Sequence, residues 1–375
     1  MKVVVDRRIP FIKGVLEPHA EVLYLEGHEI GQADIRDADA LIIRTRTKCN
    51  QALLEKTKVR FIASATIGFD HIDTAFCSAN NIFWTNAAGC NASSVQQYVA
   101  AALFHLAEQH RFELAQKTIG IVGVGNVGSK VAKLCQVIGM RVLLNDPPRE
   151  RNEGSRDFVS LDTLIDQSDI VTFHVPLNPD GPDKTLHMVD ERLLAKFRKH
   201  QILINSSRGE VVDSEALKSV LKSRPMKDTV LDVWEHEPDI DPELLRLAGI
   251  ATPHIAGYSA DGKANGTAMS VQAFSRFFGL DLHEWYPEKV PLPASTTLEV
   301  ECSNQSTQNV VAGLVKRTYD VLTDDARLRM FPAAFEKQRG EYPLRREFPT
   351  YTVRLLHARD GLESIVQAIG FKTLH

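Results

Sequence analysis

Hydrophobic positions in the first ninety residues cluster into short β-branched runs at 3–5, 22–25, 40–43, 61–65 and 82–84, with helically spaced stretches between them. Short runs that are apolar on both faces predict strands buried inside a parallel sheet, with the intervening helices covering it. Asp37-Ala38-Asp39 and Gly68-Phe69-Asp70 supply turn chemistry between them. A longer helical stretch over 93–106, with Ser93 or Ser94 as its cap, leads into a second series of strands predicted at 118–122, 141–145, 170–173, 202–204 and 229–232. A helix over about 265–280 is expected to return the chain to the first domain, setting two crossings side by side at a hinged cleft. Beyond Tyr286-Pro287, five prolines between 291 and 349 break a tail of about ninety residues into short elements, and Val310-Val311, Leu314 and Tyr351 mark it as folded α+β structure.

Composition narrows the partners. The 375 residues carry 44 basic and 48 acidic side chains, a formal charge of -4, so there is no global positive field for nucleic acid or an anionic membrane. Five scattered cysteines without CxxC spacing argue against a disulfide framework or a metal site. The N-terminus is charged where a signal peptide needs an apolar stretch, and a cytoplasmic protein is the expectation.

Candidate chemistry begins at Gly123-Val124-Gly125-Asn126-Val127-Gly128, which follows a predicted strand and opens a predicted helix. Glycines there permit a tight turn and close backbone approach to a pyrophosphate, and the helix N-terminus adds positive potential. The following strand ends at Asp146, eighteen positions beyond Gly128, close to the roughly 20 that sets a carboxylate on ribose hydroxyls. NAD rather than NADP is therefore the predicted cofactor, although Arg149 and Arg151 lie near enough in sequence to accept a 2′-phosphate. His174, in Thr172-Phe173-His174-Val175, is expected at a strand end in a structural role beside the cofactor.

Three further motifs follow in order: Asn205-Ser206-Ser207-Arg208-Gly209, Asp232-Val233-Trp234-Glu235-His236-Glu237-Pro238 and Thr252-Pro253-His254-Ile255-Ala256-Gly257. Together they offer what hydride transfer at the C2 of a hydroxy acid requires. His254 suits a proton acceptor, Glu237 a carboxylate that holds its tautomer, and Arg208 a planar fork for a substrate carboxylate. Each motif alone is as readily a packed histidine or a turn arginine; the ordered set carries the reading.

On these motifs, and on Ile67-Gly68-Phe69-Asp70-His71, residues 1–280 resemble the D-isomer-specific 2-hydroxyacid dehydrogenases. The resemblance implies Arg208, Glu237 and His254 as the catalytic set and a Rossmann-type nucleotide domain inserted in a flavodoxin-like substrate domain. It divides the chain into 1–92 and 258–285 (substrate), 93–257 (NAD) and 286–375. Gly89-Cys90-Asn91-Ala92, His254-Ile255-Ala256-Gly257-Tyr258-Ser259 and the tail resemble one branch of that family more narrowly, for which the tail implies a homodimerisation domain and the substrate is a small phosphorylated hydroxy acid. By the same carry-over, Thr45, Thr66 and Tyr258 contact substrate, and Val175, Ser206, Ser207, Asp232 and Gly257 line the cofactor. Arg44 and Arg46 flank Thr45 and are expected to meet the phosphate, while Arg345-Arg346 is either a solvated pair or a reach toward a neighbouring subunit. A dehydrogenase for 3-phosphoglycerate or glycerate, or an NAD-sensing corepressor on the same scaffold, is the competing reading.

Overall fold

The protein is described by a computed structural model covering residues 1–154, 157–223 and 226–374. It forms two compact units, one of Met1–Asn91 with Ser259–Pro291 and the other of Ala92–Tyr258 with Leu292–His375. The tail expected as a separate body is thus grouped with the nucleotide half.

In the first unit, β1 (Lys2–Asp6), β2 (Glu21–Leu25), β3 (Ala40–Ile43), β4 (Phe61–Ser64) and β5 (Phe83–Asn86) form an all-parallel sheet in the order β2-β1-β3-β4-β5. The central strands are apolar on both faces because both faces are covered. Val4, Leu41 and Ile62 pack toward one layer, while Val3, Val5, Ile42 and Phe61 meet Val271 and Phe274 of the helix Ala260–Phe278. The Phe274 and Phe61 rings meet edge to face with their centres 5.8 Å apart. That helix ends at Gly279, whose positive φ of 69° forms the left-handed cap.

The second unit holds β6 (Thr118–Val122), β7 (Arg141–Asn145), β8 (Ile170–Phe173), β9 (Ile202–Asn205), β10 (Asp228–Leu231) and β11 (Ile250–Ala251), parallel in the order β11-β10-β9-β8-β6-β7. A single parallel bridge from Leu144 to Phe158 extends it beyond β7. With that bridge counted as a reduced third strand, the order is the doubly wound one of dinucleotide-binding folds.

The helix Ala92–His110 belongs to this unit and buries Val95, Tyr98, Val99, Leu103 and Leu106 in its core. Its expected serine cap is not used as one: Ser94 lies inside the helix, fully buried, and donates to Glu347 of the tail at 2.7 Å. Tail residues β12 (Thr297–Glu301), β13 (Thr352–Leu356) and β14 (Lys372–Leu374) make a small parallel sheet in that order. Val353 of that sheet, Val366 of the helix Leu362–Ile369 and Phe371 before β14 share the core of the helices Ala92–His110 and Asn126–Val137.

The tail also covers a sheet edge, where unpaired backbone groups are a liability. Asp325 accepts from the backbone N–H of Ala251 at 2.7 Å, and Arg329 donates to the carbonyls of Leu245 and Ala248. Arg345 and Arg346 are not solvated: they are 5% and 8% exposed. Arg345 donates to Gln97 Oε1, to the Ser94 carbonyl and to the Ile255 carbonyl, with its guanidinium 3.8 Å from the centre of the Tyr319 ring. None of the five cysteines is in a disulfide, and among the described residues no helix is long and apolar enough to cross a membrane.

Candidate active site

Expected site residues of the second unit stand just past the carboxyl ends of its strands: Gly123 after β6, Asp146 after β7, Val175 after β8, Ser206 to Arg208 after β9, Asp232 after β10 and His254 after β11. Parallel strands end on one side of their sheet, so positions as far apart in the chain as Gly123 and His254 gather along one rim, where open α/β sheets bind ligands.

The turn after β6 is built for close backbone contact. A Cβ at Gly128 would fall 2.0 Å from the carbonyl oxygen of Gly123, and one at Gly123, whose φ is +85°, would meet the His174 carbonyl at 2.6 Å and Val175 at 2.8 Å. Gly125 instead faces open space beside the start of the helix Asn126–Val137, with Asn126 exposed there and Val127 half-buried. That is the cradle a pyrophosphate needs. Asp146 accepts from the Val124 N–H at 2.7 Å and caps the helix Pro147–Glu153 through the Arg149 N–H at 3.1 Å, which fixes its carboxylate beside the glycine turn. Arg149 spends its guanidinium on Glu153 and the Val124 carbonyl, and Arg151 on Asp183. Neither basic side chain waits for a 2′-phosphate.

After β9, Asn205 Oδ1 accepts from the Ser207 N–H and hydroxyl, and its Nδ2 donates to the Arg208 carbonyl at 2.9 Å, so one amide shapes the whole Ser206-Ser207-Arg208 turn. The Ser206 hydroxyl is buried without a hydrogen-bond partner, which fits a site meant to receive a polar cofactor. Gly209 lets this turn press on the next motif: a Cβ there would lie 2.0 Å from the Trp234 carbonyl. The Arg208 and Glu237 loops meet because position 209 has no side chain.

His254 Nδ1 and Glu237 Oε2 are 2.8 Å apart, and Glu237 Oε1 accepts from the Trp234 N–H at 3.0 Å. Burial pushes the Glu237 carboxyl up, but the hydrogen bond and charge of His254, with the Trp234 N–H, more than offset it and hold the group below the usual carboxylate range. The carboxylate therefore fixes Nδ1 as the donor and leaves Nε2 as the acceptor. His254 takes a left-handed φ of 55°, and its loop hangs from Asp232. Asp232 is 1% exposed; its Oδ1 accepts from the Thr252 hydroxyl and the Ile255 N–H and its Oδ2 from the Ala256 N–H. Burial raises its pKa in spite of those bonds. Asp232 thus holds the histidine loop in place through three hydrogen bonds. Gly257 and Tyr258 close the same turn, the Tyr258 N–H donating to the Ile255 carbonyl at 2.8 Å.

Comparison with known proteins agrees with this geometry. Residues 88–256 match the family described as D-isomer specific 2-hydroxyacid dehydrogenase, NAD binding domain, and residues 291–370 match a domain of unknown function. The chain is 49% identical to an erythronate-4-phosphate dehydrogenase of Bacteroides fragilis over 94% of its length and 99% of the relative's. It is 42% identical to one of Proteus mirabilis over the whole of both chains.

The chain belongs to the erythronate-4-phosphate dehydrogenase family.

Solved structures extend the comparison beyond that family: a D-lactate dehydrogenase of Aquifex aeolicus complexed with NAD and lactic acid (TM-score 0.61, 24% identity, 74% of this chain and 96% of that one) shares the fold. An NAD-dependent formate dehydrogenase of Staphylococcus aureus in complex with NAD matches at a TM-score of 0.61 and 26% identity over 79% of this chain and all of that one. The nucleotide half of this erythronate-4-phosphate dehydrogenase family member is accordingly an NAD-binding domain.

The remaining expected residues lie in the first unit, again past strand ends. Arg44, Thr45 and Arg46 follow β3, with Thr45 and Arg46 exposed, and Thr66 follows β4. Thr66 shares a 2.8 Å hydrogen bond with Ser64, whose hydroxyl also lies 3.3 Å from His71 Nε2. Arg44 is not simply poised for an anion: its Nε and Nη2 donate to the fully buried Asp6 at 3.0 and 3.2 Å, an attachment that sequence did not foretell. Asn205 and Thr252 stand inside the Arg208 and His254 motifs as turn-shaping and loop-holding residues, and an amide before Ser-Ser-Arg is the sequence signal for the first. The tail residues Arg339 and Tyr342, which stand beside Tyr258, had no motif to announce them.

Proposed function

We propose that the protein oxidises 4-phospho-D-erythronate to (R)-3-hydroxy-2-oxo-4-phosphooxybutanoate with NAD, a step of pyridoxine 5′-phosphate biosynthesis. The observation that carries the reading is the 2.8 Å contact of His254 with Glu237 on the rim that also bears Arg208 and the glycine cradle.

Bound NAD supplies the hydride acceptor. The protein's own residues do the rest: Arg208 pairs with the C1 carboxylate and polarises the C2 oxygen, while His254 Nε2 takes the hydroxyl proton as hydride leaves C2. Glu237 stabilises the imidazolium so formed. Gly123, Gly125, Asn126, Val127, Gly128 and Asp146 hold the adenosine and pyrophosphate side, and Val175, Ser206, Ser207, Asp232 and Gly257 the nicotinamide side. Thr45, Thr66 and Tyr258 belong to the substrate in this reading.

The same proposal includes a cytoplasmic homodimer joined through the tail. Apolar Met330, Phe331, Leu344 and Leu374 of the tail are exposed in the single chain, which supports a protein partner there. NADH formation with 4-phospho-D-erythronate, set against 3-phosphoglycerate and D-glycerate, tests the activity; preference for either alternative overturns the substrate assignment.

A further inference from the structure

The tail places Arg339 beside Tyr258. Arg339, on the helix Phe335–Gly340, is 21% exposed, and its guanidinium carbon lies 5.8 Å from the centre of the Tyr258 ring. Nη1 is 2.8 Å from Glu336, a carboxylate 39% exposed and therefore screened by solvent. Nε is buried and finds no hydrogen-bond partner among the described residues. Burial works against the charge of Arg339, yet Tyr258, Glu237 and Glu336 together stabilise it, so the guanidinium stands within electrostatic reach of both the catalytic carboxylate and the substrate-side tyrosine. Tyr258 is in turn braced edge-on by Tyr342 at 5.7 Å, and Tyr342 is anchored by its hydroxyl on the buried Asp324 at 2.6 Å.

A buried donor left unpaired costs free energy, and proteins keep such groups where a ligand completes them. Arg208 already serves a carboxylate. A substrate with a second, doubly charged terminus needs a second cation with several donors, and a planar guanidinium suits phosphate better than an ammonium. The lactate and formate dehydrogenase structures match at most 79% of this chain while being matched almost whole, and their named substrates carry no phosphate.

We propose that Arg339 of the tail, seated on Tyr258, binds the terminal phosphate of the substrate and so sets the preference for phosphorylated hydroxy acids. The inference rests on the activity proposed above. It gives the tail a part in substrate choice, through a residue outside every recognised motif.

The test is steady-state kinetics of the full-length wild type, Arg339→Met and Arg339→Lys with NAD and either 4-phospho-D-erythronate or unphosphorylated D-erythronate. Arg339→Met keeps the packing of the side-chain stem while removing charge and donors. It should raise the KM for the phosphorylated acid by about tenfold or more, leave kcat/KM for D-erythronate within about twofold, and be partly rescued in Arg339→Lys. Inorganic phosphate should compete with D-erythronate in the wild type and lose that effect in Arg339→Met. An equal loss on both acids would make Arg339 a prop for Tyr258 and overturn the inference, as would an unchanged KM for both or no competition by phosphate in the wild type. A wild type inactive on 4-phospho-D-erythronate would instead remove the activity itself; wild-type activity with an indifferent Arg339→Met removes only this inference.

Discussion

Glu237 Oε2 accepts from His254 Nδ1 at 2.8 Å while its other oxygen is held by the Trp234 N–H. The bond sets Nδ1 as the donor and leaves Nε2 as the nitrogen able to take a proton. In Glu237→Gln the side-chain oxygen can keep Trp234, but its amide then presents a donor to Nδ1 and favours the Nε2–H tautomer, which cannot take a proton. The expected result is a fall in kcat of about 10²-fold or more with NAD affinity nearly unchanged, read from steady-state rates beside NAD titration by fluorescence.

His254 holds a left-handed backbone, φ 55°, which alanine tolerates poorly and asparagine well. His254→Asn therefore separates chemistry from strain. Turnover should drop by roughly 10²- to 10⁴-fold while the melting temperature stays within a degree or two of wild type. Lost NAD binding in this variant would show the histidine to be structural.

Asp146 caps the helix Pro147–Glu153 and, in the proposed reading, binds the ribose, so its replacement must keep the cap. Asp146→Ser retains an acceptor for the Arg149 N–H and removes the charge facing a 2′-phosphate. The ratio of kcat/KM for NAD to that for NADP should fall about tenfold or more. An unchanged ratio would place the selecting carboxylate elsewhere.

Arg345 joins the tail to the helix Ala92–His110 and to the loop of His254 through Gln97, Ser94 and Ile255. Arg345→Met leaves those buried acceptors without donors, and a loss of roughly 2–4 kcal/mol is expected. Urea unfolding of the full chain measures it. A change below about 0.5 kcal/mol would mean that water replaces the guanidinium.

His174 is half-buried just past the end of β8, with Nε2 3.0 Å from the Thr172 hydroxyl, and desolvation pushes its pKa down from 6.5 to about 3. Between those values the unfolded chain binds a proton that the folded one refuses, so stability rises with pH across the window and is lost as pH falls below 6.5. His174→Leu should flatten that dependence by up to roughly 1.4 kcal/mol per pH unit. Unfolding midpoints of both proteins at pH 7 and pH 5 decide the point.

The strands, and the positions of the expected site residues past their ends, follow from local sequence. Runs such as 40–43 and 118–122 are apolar on both faces, a local property that reads directly as buried parallel strand. The glycine turn, Arg208, Glu237 and His254 were legible for the same reason: each sits in a motif whose spacing is set by one strand, one turn or one helix start. Tertiary structure alone decided what connects segments far apart. It gave Arg44 to Asp6, turned Ser94 from an expected cap into a partner of Glu347, and buried Arg345 and Arg346 against the helix at 92–110. It also brought Arg339 to Tyr258, 81 positions earlier in the chain. An arginine in a polar stretch has the same local signature whether it ends in solvent, in a core or at a site. Its partner is chosen by packing of the whole chain, and no short-range pattern encodes that choice.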